Sequence, residues 1–262
     1  MKVVHDPNYS YMNDPGLQSL LIEELANIAQ PFFSQNFPNL LPPQTESASH
    51  IQEFFHLYST RSLVDNTGGS GFHNAFWLYL FTKALKPELI IESGVWKGHT
   101  TWLFHQANPT AQVIGFDINL KHLEYESDQV TYIQNDWQNH DFSKFNLEKS
   151  LIFFDCHINH AQRLLEADQK GFKHLLFDDN PPEHKLYSYG KPGFPTAQML
   201  KNLDSLSKYE ISWTYKGQIL SREVDALEAK KASQLIKRHI VFPDVGGPTR
   251  YGGFSFLTYV QI

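Results

Sequence analysis

Five short apolar runs recur through the middle of this chain and set what it can fold into: Leu89–Glu92 (Leu-Ile-Ile-Glu), Gln112–Asp117 (Gln-Val-Ile-Gly-Phe-Asp), Val130–Gln134, Ser150–Asp155 (Ser-Leu-Ile-Phe-Phe-Asp) and His174–Asp178 (His-Leu-Leu-Phe-Asp). Helical segments separate them, most clearly His99–Gln106 and His157–Gly171. Runs this short and this uniformly apolar predict strands buried on both faces, and their alternation with helices predicts a mostly parallel, doubly wound α/β sheet. Two further strands, Tyr209–Tyr215 and one in the β-rich tail Gly252–Ile262, would bring the sheet to seven, the tail closing it in the antiparallel sense.

Upstream of the first run the pattern is helical. Leu17, Leu20, Leu21, Leu25 and Ile28 recur at helical spacing over Gly16–Ala29, and Ser47–Tyr58 and the strongly apolar Phe72–Leu85 read as two more helices. Residues 1 to about 15 carry breakers and read as irregular. Pro31, Pro38, Pro42 and Pro43 predict an extended connection, and Pro87 ends the third helix. The chain thus divides into an N-terminal helical cap, 1–86, and a sheet core, 87–262, in one compact unit. Beyond the fifth run, Pro181–Gly193 is a long loop without periodicity, Thr196–Leu206 a helix, and Glu223–His239 a charged surface helix. A net charge of -6 with no basic stripe argues against a nucleic-acid partner. No apolar run reaches membrane length, and Met1–Pro7 lacks the apolar core of a signal peptide. The single cysteine, Cys156, fits a reducing compartment, so a cytoplasmic location is expected; homo-oligomer formation is left open by the residues.

The chemistry gathers at the ends of the runs. After Leu89–Glu92 comes Ser93-Gly94-Val95-Trp96-Lys97-Gly98-His99-Thr100-Thr101, a glycine turn opening a helix. Gly94 lets the backbone take a positive φ where the strand ends, and Gly98 would let a ligand lie against the main chain. Glu92 at the strand tip would repel a pyrophosphate, and neither G-x-G-x-x-G nor a phosphate loop is present. Asp117, Asp155 and Asp178-Asp179 end three other runs, and in open α/β sheets such strand ends share one rim. Asp117 stands where ribose hydroxyls are met in this topology, or else it caps Ile118–Leu123. In Asn135-Asp136-Trp137 an acid can hold an amine and an aromatic can cover a purine; a turn with a buried tryptophan is the plainer alternative.

Asp155 with Asp178, Asp179 and Asn180 would crowd like charges at neighbouring tips unless a divalent cation such as Mg²⁺ neutralised them; otherwise they cap helices and pair with Arg163 or Lys185. His157 and His160, three apart at a helix start, could face one side, and His157, directly after the strand-end acid, is the favoured general base. Cys156 reads as a buried thiol rather than a nucleophile. Asp65–Gly71 is a flexible glycine loop that could serve as a lid or as a plain turn. Tyr187, Tyr189 and Tyr251 suggest a sugar or aromatic acceptor.

Taken in order, Ile90–Thr100, Phe116-Asp117, Phe154-Asp155-Cys156-His157 and Phe177-Asp178-Asp179-Asn180 resemble the class I S-adenosylmethionine-dependent methyltransferases, which have a Rossmann-like fold. The resemblance runs from about Asp65 to Asn180 and is nearest to the metal-dependent O-methyltransferases and the cephalosporin-hydroxylase-like group. It implies S-adenosylmethionine as cofactor, with Glu92 and Gly94 at its methionine and sugar end and Gly98 and Thr100 in the same motif. It implies Asp117 on the ribose, Asp136 and Trp137 on the adenine, and a metal on Asp155 with either Asp178 and Asp179 or Asp179 and Asn180. It further implies methyl transfer to a small-molecule hydroxyl under a cap made by the N-terminal helices. Cys156 departs from the acid expected in the cephalosporin-hydroxylase-like group. A nicotinamide-dependent oxidoreductase, a hydroxylase and a non-catalytic cofactor-binding protein are the rival readings. Glu92, the missing third glycine and the lack of a recognisable His-His-carboxylate triad count against the first two.

Overall fold

The computed structural model describes residues 15–40, 44–203 and 210–262. The five runs form parallel strands β1 (Leu89–Ser93), β2 (Gln112–Asp117), β3 (Val130–Gln134), β4 (Ser150–Phe154) and β5 (His174–Phe177). They lie in a seven-stranded sheet of order β3-β2-β1-β4-β5-β9-β8, with β8 (Arg238–Val241) and β9 (Thr258–Gln261) antiparallel. β1 is flanked by β2 and β4, so the chain reverses its direction of travel across the sheet beside it, and ligand crevices form at such a point. Every residue of β1 and β4 is buried, which is what their unbroken apolar runs require.

Alternation along each strand sends side chains to two separate cores. Ile90, Val113, Leu151, Phe153 and Leu176 join one, shared with α1 (Pro15–Asn36), α2 (Gln44–Thr60), α3 (Phe72–Leu85) and α4 (His99–Ala107). Ile91, Ile114, Phe116, Ile152, Phe154 and Phe177 join the other, under α5 (His160–Lys170), α6 (Ala197–Lys201) and α7 (Ala226–Leu235). Helix α3 is buried from Phe72 to Thr82 on nearly all sides, as a helix apolar all round must be.

Several expectations are corrected. Pro31 lies inside α1, which runs on to Asn36. The hydrogen bond a proline removes is outweighed by burial of Phe33 and Phe37 among Trp77, Phe81 and Phe242. The strand expected near Tyr209–Tyr215 exists as β6 (Glu210–Tyr215), but it pairs only with β7 (Gln218–Glu223) in a separate hairpin. Its seventh place in the sheet is taken by β8, cut from the segment expected to be helical to His239. The tail strand β9 is antiparallel as anticipated and lies between β5 and β8 rather than at the edge. Helices α1 and α2 pack into the core on one face of the sheet, and none of their described residues lines the crevice at the strand tips. Residues 1–14, Pro42, Pro43 and residues 204–209, on which other expectations fall, lie outside the described residues. No helix among the described residues is long and apolar enough to cross a membrane.

Candidate functional site

At the end of β1 the chain turns through Gly94, at φ 96°. A Cβ there would sit 2.4 Å from the Asp155 carbonyl oxygen, so glycine is what lets the β1 and β4 tips approach each other. Asp117, at the tip of β2, holds this turn. Its Oδ2 accepts the Val95 amide at 2.9 Å and the Trp96 amide at 3.3 Å, and its Oδ1 accepts the Asn119 amide at 2.9 Å. A carboxylate has about four acceptor positions, so one stays open for a ligand hydroxyl. Asp136 is fixed just as firmly: Arg163, itself buried, grips it through two nitrogens at 3.0 and 2.7 Å and also holds Glu166 at 2.7 Å. Burial would raise the Asp136 carboxyl, but the guanidinium and the Gln138 amide more than offset this and hold it below its ordinary range.

These residues line a crevice of about 250 Å³ that also takes in Asn135, Asp155 and His157. Trp96, 38% exposed, and Ile118, 77% exposed, give it apolar walls. A larger cavity of about 670 Å³ lies between residues 183–188, α6 and β6, lined by Tyr187, Met199 and Trp213. None of the strand-tip acids reaches it, so the smaller crevice is the better candidate for chemistry.

Glu92, expected at the crevice, is fully buried. Both its oxygens are taken by the Thr100 and Thr101 hydroxyls of α4, and burial pushes its carboxyl up to about 8. Thr100 thereby serves Glu92 and is itself buried. Gly98 also stands apart: at φ 86°, its missing Cβ would press on Tyr125 and Leu123, so its freedom serves local packing rather than close approach of a ligand. Trp137 is fully buried among Phe142, Phe154 and Phe172 and can cover no ligand there. The aromatic that borders the crevice is Trp96.

The β4 and β5 tips carry their charge differently. Ser70 Oγ lies 3.2 Å from Asp155 Oδ2 and 3.2 Å from Asp178 Oδ2, yet its one proton can serve only one carboxylate at a time. Burial first, then Asp178, Asp179 and Glu92, raise the Asp155 carboxyl well above its ordinary value. Asp179 is pushed up to about 8 by burial and by Asp178. Asp178 also takes the Ser255 hydroxyl and the Asp179 amide, the latter at 2.7 Å. Asn180 is buried and fully engaged, accepting the Gln198 amide at 2.9 Å and donating to Thr258 Oγ1 at 2.6 Å. Neither Arg163 nor Lys185 makes an ion pair with these acids among the described residues. Asp155, His157 and Asp179 each offer one ligand atom, all within 4.8 Å of one another.

The two histidines part company. Helix α5 begins at His160, with Asn159 accepting the Ala161 amide as its cap, so His157 precedes the helix and is half exposed. His160 is buried, accepts the Ala197 amide at 3.1 Å and packs on Phe177; burial lowers its imidazole to about 3. It joins α5 to α6 and is not on the crevice wall. Cys156 is half-buried and lines the crevice. Of the tyrosines, Tyr187 lines the other cavity and Tyr251 stacks on Phe72 at 4.5 Å. Burial, then Asp179 and Asp178, raise the Tyr189 hydroxyl, which donates to Phe254 O at 3.4 Å.

The glycine loop 65–71 is pinned over the crevice: Trp96 Nε1 donates to Thr67 O at 3.2 Å, Lys97 Nζ to Asp65 O at 2.9 Å, and Ser70 reaches the acids. Ser70, Trp96 and Arg163 were not singled out for these roles from the sequence. Only Trp96 and Ser70, inside the two glycine-rich stretches, had a local signal pointing to them.

No known family model matches the chain, and no curated protein matches it. Among solved structures, the SAH-bound Podospora anserina methyltransferase PaMTH1 is 14% identical, with 91% of this chain and 95% of that one covered and a TM-score of 0.47. The O-methyltransferase from Bacillus cereus in complex with SAH is 14% identical, with 92% and 100% covered and a TM-score of 0.47. A CmcI structure with SAH is 18% identical, with 45% and 71% covered and a TM-score of 0.37. Likenesses this distant assign no chemistry to this chain.

Proposed function

We propose that the chain is a cytoplasmic S-adenosylmethionine-dependent methyltransferase that moves a methyl group to a hydroxyl of a small acceptor beside a divalent cation. The observation that carries this reading is the meeting of two unlike halves at one mouth. A crevice with apolar walls, Trp96 and Ile118, and polar anchors, Asp117 and Asp136, suits a nucleoside. Asp155 and His157 line that same crevice and belong to the cluster with Asp179, whose donor set suits a cation. When bound, the cofactor would supply an electrophilic methyl on a sulfonium, and the ion, on Asp155 and Asp179, would supply positive charge toward the acceptor oxygen.

The chain's own residues would do the rest by positioning. Asp117, its grip on the Val95 and Trp96 amides keeping the turn in shape, offers its open acceptor position to a ribose hydroxyl. Asp136, braced by Arg163, holds the polar edge of the base. The 65–71 loop screens the mouth from water through its ties to Trp96, Lys97 and the acids. A carboxylate has two oxygens, so Asp155 can hold the ion with one and take the proton that the acceptor hydroxyl releases with the other.

Calorimetry with S-adenosylmethionine, its demethylated product and NADH is the first test: the two sulfur nucleosides should bind and NADH should not. Labelled methyl transfer to a panel of sugars, catechols and natural-product alcohols, with and without chelator, then looks for turnover. Binding of NADH alone would replace this reading with the oxidoreductase, and cofactor binding without turnover on any acceptor class would favour a binding protein.

A further inference from the structure

We infer that His157 is a nitrogen ligand of the cation, and that the site therefore prefers a transition ion such as Mn²⁺, Fe²⁺, Co²⁺ or Zn²⁺ over Mg²⁺. The inference rests on the metal half of the proposed function and concerns which ion that site takes. His157 Nδ1 lies 3.4 Å from Asp179 Oδ2, and the ligand atoms of Asp155, His157 and Asp179 fall within one 4.8 Å cluster. Donors bound at about 2.0–2.2 Å from one ion lie roughly 3 Å from their neighbours, so a small adjustment would suffice. The other oxygen donors at these tips already carry hydrogen bonds within the protein. Asn180 spends its side-chain oxygen on Gln198, and Asp178 accepts from Ser255 and the Asp179 amide with one oxygen while facing Ser70 with the other. Two carboxylates and an imidazole remain.

The backbone points the same way. His157 and Asp179 both hold left-handed conformations, φ 54° and 44°, which Asp and His enter more readily than most residues. These turns, at the tips of β4 and β5, bring the two side chains together. Mg²⁺ demands oxygen ligands in near-ideal octahedral geometry, whereas imidazole suits the later first-row ions. A nitrogen engaged with an ion cannot also take a proton, so the role expected for His157 as general base passes from it.

The test uses the full chain stripped with chelator and Mn²⁺ alone as probe, followed by electron paramagnetic resonance. Bound Mn²⁺ should show spin-echo modulation from a directly coordinated ¹⁴N, and Mg²⁺ should displace it only at about 100-fold excess or more. His157→Asn, whose side chain tolerates a left-handed backbone, should keep the circular dichroism spectrum, lose the ¹⁴N modulation and narrow the preference for Mn²⁺ at least about tenfold. Bound Mn²⁺ without nitrogen modulation, or an unchanged preference in His157→Asn, would overturn the inference while sparing the carboxylate site. Failure of the folded wild-type chain to bind any of these ions would remove the metal from the proposed function and this inference with it.

Discussion

At the tips of β1 and β2 each acid has a partner within the protein: Glu92 has two threonine hydroxyls, Asp117 three backbone amides, and Asp136, just beyond β3, a two-pronged arginine. At the tips of β4 and β5, Asp155, Asp178 and Asp179 crowd together: one Ser70 proton lies between Asp155 and Asp178, Asp178 alone has further donors in Ser255 and the Asp179 amide, and one half-exposed imidazole is nearby. Both sets stand on the same sheet with the same strand polarity. One half of the rim is built to hold its shape without help, and the other is left in want of positive charge. A protein can carry such unbalanced acids if the site gains a cation, since like charges at short range otherwise lift each other's proton affinity.

Gly94→Ala attacks the seam between the halves and should have the largest effect. The added Cβ meets the Asp155 carbonyl at 2.4 Å on a backbone at φ 96°, so denaturant unfolding should show a loss of about 3 kcal/mol or more. Next comes Asp155→Asn. Ion-dependent turnover should fall at least about 10²-fold, equivalent to about 2.7 kcal/mol of barrier, while the ion-free protein should melt a few degrees higher because one of three like charges is gone. If that variant instead melts lower with ion absent, the contrast between the halves collapses.

Glu92 sharpens the comparison through pH. Its carboxyl rises from 4.5 to about 8 in the folded chain, so the folded state binds more protons between those values. Its stabilising contribution is full below about pH 4.5, declines as pH climbs, and is gone above about pH 8. Glu92→Gln should flatten that slope in thermal melts taken from pH 5 to 9, and an unchanged slope would mean the charge is carried elsewhere. The smallest effect is expected from Gly98→Ala: about 1 kcal/mol of stability, from its positive φ and contact with Tyr125, with nucleoside affinity unchanged in calorimetry. A weakened affinity there would restore the close-approach role that its geometry argues against.

Much of this molecule could be read from local pattern. The run Leu89–Glu92 became β1, Gln112–Asp117 and Val130–Gln134 became β2 and β3, and Phe72–Leu85 became α3 with both ends in place. Each has a period or an unbroken apolar run that only one element satisfies. Where competing signals met, reading failed. Pro31 argued for a break that aromatic burial overrode. The segment Glu223–His239 held both a helix and an edge strand, and β6 has strand composition wherever it pairs. Trp137 and Glu92 were misplaced for a related reason: a residue's type names the chemistry available to it, while its direction from the backbone decides whether that chemistry meets a ligand or the core.

Local pattern in the chain was enough for the five parallel strands, their common sense and the arrival of Asp117, Asp155 and Asp178-Asp179 at one rim, because strand periodicity is local and parallel strands all present the same end. Only the tertiary structure decided which acids are neutralised. Arg163 reaches Asp136 across 27 residues, Ser70 reaches Asp178 across 108, and Asn180 meets Thr258 across 78. Such partners are chosen by packing of elements far apart in the chain, and no short window of residues records which of them will be close.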